Sequence, residues 1–377
     1  MQATDIQPLP SQPADDLAAW LRLVHTPGAG PAACRRLLDS FKTPDAVFGA
    51  SRPALQACVG VVLTESLLAP AADVIRQRID LALDWASRPG HAILCLHDPA
   101  YPLALAQIAD PPAVLYVAGK IGLLAGPAMA LVGSRNASTQ GKINAEVFAE
   151  ALAWAGLTIV SGLALGIDAA AHNGALGAPG STVAVVGTGP DLVYPARNRE
   201  LWECIIDEGC VVSEYAPGTP PIAHNFPQRN RIISGLSLGV LVVEAAAKSG
   251  SLITARLAAS QGRDVFAIPG SIHSALAKGC HLLIKEGAKL VESAADVLEE
   301  VRMSPLARMG PAATPAPEEG ASCAVLAAMG HEPIGAEALG QALGQLPHAV
   351  SAMLLELELA GRVERLPDGR FQQIKQG

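Results

Sequence analysis

Four short polar turns in this chain set arginine or lysine among glycine, serine and asparagine: Gly133-Ser134-Arg135-Asn136, Arg197-Asn198-Arg199, Arg229-Asn230-Arg231 and Lys248-Ser249-Gly250-Ser251. Guanidinium groups offer forked donors to phosphate, small residues let a phosphate approach the backbone, and a helix that starts at such a turn adds unpaired N–H groups and a partial positive charge. The chemistry these residues suit is phosphate binding. Arg135 is the natural anchor, with Gly133 permitting close approach. Arginines two apart in an irregular turn point to different sides, so one of each pair can meet the ligand while the other holds a carboxylate such as Glu200, Glu203 or Glu214.

Groups for bond-breaking chemistry are fewer. Asp168 and His172 lie one helical turn apart and have the spacing of an acid/base pair, but a loop-ordering role suits them better. Glu244 ends an apolar run, an unusual place for a carboxylate, and is expected to orient Lys248 or Arg231. Gly162 either admits a ligand or serves strand-to-helix packing. The GSRNAS turn lacks the GxGxxG dinucleotide pattern, no Walker loop is present, and the nine histidines have no paired ligand spacing. No catalytic constellation, cofactor or metal is therefore expected. The alternative is a nucleotide-binding hydrolase of the lysine decarboxylase-like Rossmann class, using Glu244 or Asp168, although AKSGSLITA stands where those enzymes carry a PGG-containing loop.

The elements that must position these turns are legible from residue 129 onward. Short apolar runs (MALVG, LTIVSG, TVAVVG, CVVSEY, VLVVEA, DVFAIPG) alternate with longer helical ones, the signature of an α/β, Rossmann-like, doubly wound sheet. Ligands of such sheets gather at the carboxyl ends of the strands, so the polar turns should share one rim. A flexible Pro-rich tail is expected at 1–15, a helical domain at 16–90 and the Rossmann-like domain with its entry segment at 91–300. A Pro/Ala/Gly linker at 301–320 and a winged-helix domain at 321–377 complete the chain. Residues 21–41 resemble a helix-hairpin-helix around Pro27–Gly30. A plain packing role is favoured there, with Arg35 and Arg36 keeping a phosphate role open. The winged region has no Lys or Arg between 331 and 360 but carries Glu332, Glu337, Glu356 and Glu358. It reads as a structural or protein-contact module unless Arg362, Arg365 and Arg370 prove otherwise.

Composition bounds the partners. The 377 residues carry a net charge of −8 and are 50% hydrophobic but only 4% aromatic, so any polyanion site must be local and base stacking minor. Seven cysteines, an odd number without CxxC spacing, fit a reducing cytoplasm. No secretory signal or membrane span is expected.

The ordered set GSR, SGLALGID, AVVGTGPDLVYPARN, VVSEYAPG, FPQRNRIISGL, VVEAAAKSGSLITA and VFAIPG, spread over 129–287, resembles the DNA-processing protein A family, also called Smf. The resemblance implies a cytosolic protein that binds single-stranded DNA, dimerises through its Rossmann-like domain and helps load the recombinase RecA during natural transformation. The basic turns then become a groove for strand phosphates with weak sequence preference. The apolar run at 272–287, with Ile272, Leu276 and Leu282, is the expected dimer face, against ordinary packing on the sheet.

Overall fold

The computed structural model describes residues 14–301, 325–326, 328–330, 333–345, 347–366 and 369–374. The expected tail and linker lie outside the described residues, save that 14 and 15 already belong to the first helix and 301 follows the last helix of the sheet region.

Five helices come first: α1 (Ala14–His25), α2 (Pro31–Phe41), α3 (Pro44–Phe48), α4 (Arg52–Leu68) and α5 (Asp73–Ala86). Trp20, Leu21, Leu37, Leu38, Leu55 and Trp85 form their shared core. The α1–α2 turn contains Gly28 at φ +87°, where glycine avoids Cβ strain. Arg35, on α2, bonds Asp39 at 3.0 Å and the carbonyl of Ala106 at 3.2 Å. That engagement ties the helical region to the sheet region and favours the packing role for the hairpin.

Nine strands make one sheet: β1 (His91–Cys95), β2 (Val114–Gly119), β3 (Ala128–Val132), β4 (Thr158–Ser161), β5 (Thr182–Val186), β6 (Cys210–Ser213), β7 (Gly239–Val242), β8 (Asp264–Ala267) and β9 (Lys289–Leu290). Their order is β1-β2-β6-β5-β4-β3-β7-β8-β9. Strands β3 to β9 pair in parallel, whereas β1–β2 and β2–β6 are antiparallel. All six strands expected from the apolar runs are present. The antiparallel pair β1–β2 and the two-residue β9 extend the sheet beyond them.

Helices α6 (Leu103–Ala106), α7 (Thr139–Trp154), α8 (Ile167–Ala175), α9 (Arg199–Glu208), α10 (Asn225–Leu236), α11 (Ser251–Ser260), α12 (Lys278–Lys285) and α13 (Ala294–Glu300) complete this region. Strand β3 shows why its sequence is apolar throughout. Ala128, Ala130 and Val132 join the core that includes Ile232 and Ile233 of α10 and Leu252 of α11, while Met129 and Leu131 join Phe148 and Leu152 of α7. A strand covered on both faces cannot alternate with polar residues.

At the C-terminal end, helices Ala336–Leu343 and Pro347–Leu359 precede an antiparallel hairpin, β10 (Val363–Arg365) with β11 (Phe371–Gln373). They enclose a small core of Leu339, Val350, Leu354 and Val363. A helix pair followed by a β-wing is the arrangement expected there. Glu332 falls outside the described residues.

Candidate nucleic-acid interface

The chain runs from β3 outward through β4 and β5 to β6, then returns to lay β7 on the other side of β3. The loops after β3 and β7 therefore diverge at the reversal point of the sheet, where doubly wound folds open a crevice. A cleft of about 730 Å³ lies there. Its walls include Gly133, Ser134, Arg135 and Asn136 from one loop and Lys248, Ser249, Gly250 and Ser251 from the other, with Asp168, Arg229 and Asn230 between them. Arg135 and Lys248 are exposed. The structure thus brings these two turns to one rim.

The Gly133–Ser138 loop is shaped by Glu244. Its carboxylate accepts hydrogen bonds from the Ser138 N–H at 3.0 Å and the Ser138 hydroxyl at 2.6 Å, and Ser138 Oγ in turn accepts from the N–H of Gly141 at 2.9 Å. The glutamate at the end of the β7 run is therefore an anchor for the start of α7. This corrects the expectation that Glu244 orients Lys248 or Arg231. A carboxylate suits a helix N-terminus. Burial nonetheless raises the Glu244 carboxyl above its usual range, opposed by the Ser138 bonds.

The next loop, Ser161 to Asp168, is held from two sides. Asp168 Oδ2 accepts from the N–H groups of Gly162 at 3.2 Å and Ala164 at 3.4 Å, and His172 Nε2 accepts from Leu163 N–H at 3.3 Å. Asn198 Nδ2 donates to the carbonyls of Leu163 at 2.9 Å and Ala164 at 3.3 Å. Thr182 gives its hydroxyl hydrogen to the Ile159 carbonyl, so the 2.7 Å contact between His172 Nδ1 and Thr182 Oγ1 requires an Nδ1–H. Both ring nitrogens are then satisfied only in the neutral tautomer. Burial, with the nearby Arg229 charge, lowers His172 to about 3. Burial raises Asp168, with Arg229 opposing. These residues order a loop rather than form a proton-transfer pair, and buried Asn198 is a loop brace rather than a ligand on the rim.

The Arg229-Asn230-Arg231 segment is helical, inside α10, which corrects its reading as an irregular turn. Arg229 is 5% exposed and sits on the floor of the cleft, with one Nη donating to the Val185 carbonyl and Nε without a hydrogen-bond partner among the described residues. Burial lowers it to about 10, opposed by Asp168. A Cβ at Gly162 would overlap its guanidinium. Gly162 therefore makes room for Arg229, not for a ligand.

Arg231 points away. It is 6% exposed and forms a forked pair with Glu214 at 2.6 and 2.9 Å, while Nε bonds the Asp110 carboxylate at 3.0 Å and the Asp110 carbonyl at 3.1 Å. One helix cannot turn residues two apart to the same side, which is why only one of the pair reaches the cleft. This corrects the placement of Arg231 on the rim. Its glutamate partner was visible in the sequence, whereas Asp110 lay in a segment without a motif.

Arg197, in the turn just before α9, and Arg199, its first residue, are exposed, but neither lines the cleft, which corrects their expected place on the same rim as Arg135 and Lys248. Tyr194 and Phe226 do, with ring centroids 5.3 Å apart. Pro221, Ala223, Ile233 and Ile253 also line it, apolar residues that carry no sequence signal of a site. On the expected dimer face, Ile272 is 66% exposed, whereas Leu276 and Leu282 are half-buried and Leu282 packs on the core. Among the described residues there is no cluster of side chains suited to a metal, and no single helix is long and apolar enough to cross a membrane.

Comparison with known proteins gives a consistent set of relatives. The family model for DNA recombination-mediator protein A matches residues 92–302, and that for the DprA winged helix domain matches residues 309–369. Protein Smf of Escherichia coli (strain K12) is 41% identical over 309 residues, which span 78% of this chain and 80% of that protein. DNA processing protein DprA of Streptococcus pneumoniae is 50% identical over 220 residues, 58% of this chain and 77% of the relative. Its X-ray structure superposes with a TM-score of 0.65 at 39% identity, covering 74% of this chain and 95% of that one. A Helicobacter pylori DNA processing protein A, described for its single-stranded DNA binding mode, gives a TM-score of 0.52 at 30% identity, with 56% and 95% coverage.

Proposed function

The chain belongs to the DNA recombination-mediator protein A family, and from that premise we propose that it binds single-stranded DNA through phosphates along the β3–β7 crevice and hands the strand to RecA recombinase during natural transformation. The observation that carries this reading is the placement of exposed Arg135 and Lys248 on facing loops of one cleft, at the point where the sheet reverses, in a chain of net negative charge. Local positive charge on an acidic protein attracts a polyanion without coating the surface.

Arg135 and Lys248 take strand phosphates at the rim, Arg197 and Arg199 extend the track toward α9, and Arg229 supplies positive potential from the floor. Few aromatics border the cleft, so ionic contact outweighs stacking and sequence preference is weak. A second copy of the chain, joined through the Ile272 surface, would lengthen the track. The two carboxylates a nucleotide hydrolase would use are engaged otherwise: Asp168 with loop amides and Glu244 with Ser138. This supports binding over catalysis.

The test compares a labelled single-stranded oligonucleotide, the matching duplex and free nucleotides by fluorescence anisotropy and product analysis. The reading expects preference for the single strand and no nucleotide turnover. Tight binding or cleavage of free nucleotides with no hold on the strand would reject it.

A further inference from the structure

The start of α7 is held from two directions. From the sheet side comes Glu244, on Ser138. From the other side comes Glu364 of β10, 225 residues farther along the chain, whose Oε2 accepts from the Thr139 N–H at 3.0 Å. Thr139 stands three residues after Asn136, which lines the cleft, so the wing touches the same loop-to-helix corner that carries Arg135.

This contact is poorly satisfied for a permanent one. Glu364 Oε1 is buried and has no hydrogen-bond partner among the described residues. A buried acceptor without a donor is unfavourable. Glu364 also adds to the raising of the Glu244 carboxyl, because two carboxylates share one helix end. What does favour the contact is the helix terminus itself. Such a terminus accepts a carboxylate or a phosphate for the same reason, its outward N–H groups and partial positive charge.

We propose that Glu364 is a built-in phosphate mimic: the wing occupies the α7 corner while the cleft is empty, and a strand phosphate arriving beside Arg135 and Asn136 displaces it. The inference rests on the single-strand reading above. Binding of DNA and docking of the wing then oppose each other through one backbone donor, Thr139 N–H. The winged domain acts as a gate on the cleft, set by charge. Strand binding thereby undocks β10 from the start of α7.

The test uses the full chain and a fluorescent oligothymidine at fixed salt, with Glu364→Ala, Glu364→Gln and Arg135→Ala. If the wing is docked roughly two-thirds to nine-tenths of the time, removing its charge raises apparent affinity about threefold to tenfold. Amide hydrogen exchange across 139–145 should also quicken in Glu364→Ala without DNA and slow again when DNA is added. Unchanged or weakened affinity in both folded Glu364 variants overturns the gate. A folded Arg135→Ala variant that binds normally would instead reject the cleft as the strand site, whatever Glu364 does.

Discussion

Asp168 and His172 divide one loop between them. Asp168 takes the N–H groups of Gly162 and Ala164, and His172, one helical turn later, takes that of Leu163 between them. Three successive amides beside the cleft are thus fixed by two side chains, of which Asp168 also lines the cleft and His172 does not.

That arrangement predicts acid sensitivity. His172 is held at about 3 against an ordinary value of 6.5, so below pH 6.5 the unfolded chain takes up a proton that the folded chain refuses. The histidine's contribution is whole above pH 6.5 and is lost as pH falls, by about 2 kcal/mol between pH 6.5 and 5. Asp168, raised by burial, runs the opposite way and is common to both proteins compared. Urea unfolding of wild type and His172→Gln at pH 7 and pH 5 should show the gap between them narrowing by about that amount. Equal losses in the two proteins would contradict the tautomer assignment.

Arg231 should matter for stability and not for DNA. Removing one member of a buried, hydrogen-bonded ion pair costs about 3–5 kcal/mol, so Arg231→Ala should lower the urea midpoint sharply. Its folded fraction should bind oligonucleotide with wild-type affinity and salt slope. A stable variant with weakened binding would return Arg231 to the rim.

Ile272 is the residue on the 272–287 run best suited to probe association. Leu282 packs on the sheet core, so a charge there would confuse folding with association, whereas Ile272 is exposed. Ile272→Glu should convert a dimer to a monomer in light scattering while its far-UV circular dichroism stays that of the folded wild type. A dimer that persists in this variant would move the interface elsewhere.

The six strands were legible because a strand buried on both faces must be apolar; of the polar turns, those at 133–136 and 248–251 meet at the cleft, whereas Arg197, Arg199 and Arg231 do not line it. What periodicity did not reveal was β1 and β2, whose sequences carry no motif, and the helical state of 225–236. There the pattern of Arg-Asn-Arg resembled a turn, but Ile232, Ile233 and Leu236 pack that segment on the sheet. Once helical, Arg229 and Arg231 had to part. The partner of Glu244 was equally hidden, because Ser138 lies 106 residues earlier and meets it only through the β3–β7 pairing. The contact of Glu364 with Thr139 joins two regions that share no pattern at all.

If exposed Arg135 and Lys248 on the facing loops hold strand phosphates, salt dependence reads it directly. With about four phosphates neutralised per chain, two by Arg135 and Lys248 in the cleft and two by Arg197 and Arg199 on the proposed track outside it, log affinity for an oligothymidine should fall against log salt with a slope of about −3, at roughly 0.7 per phosphate. In the folded Arg135→Ala/Lys248→Ala double variant the slope should shrink to about −1.5, with affinity lowered at every salt concentration. A wild-type affinity independent of salt, or a double variant with the full slope and affinity, would contradict the account.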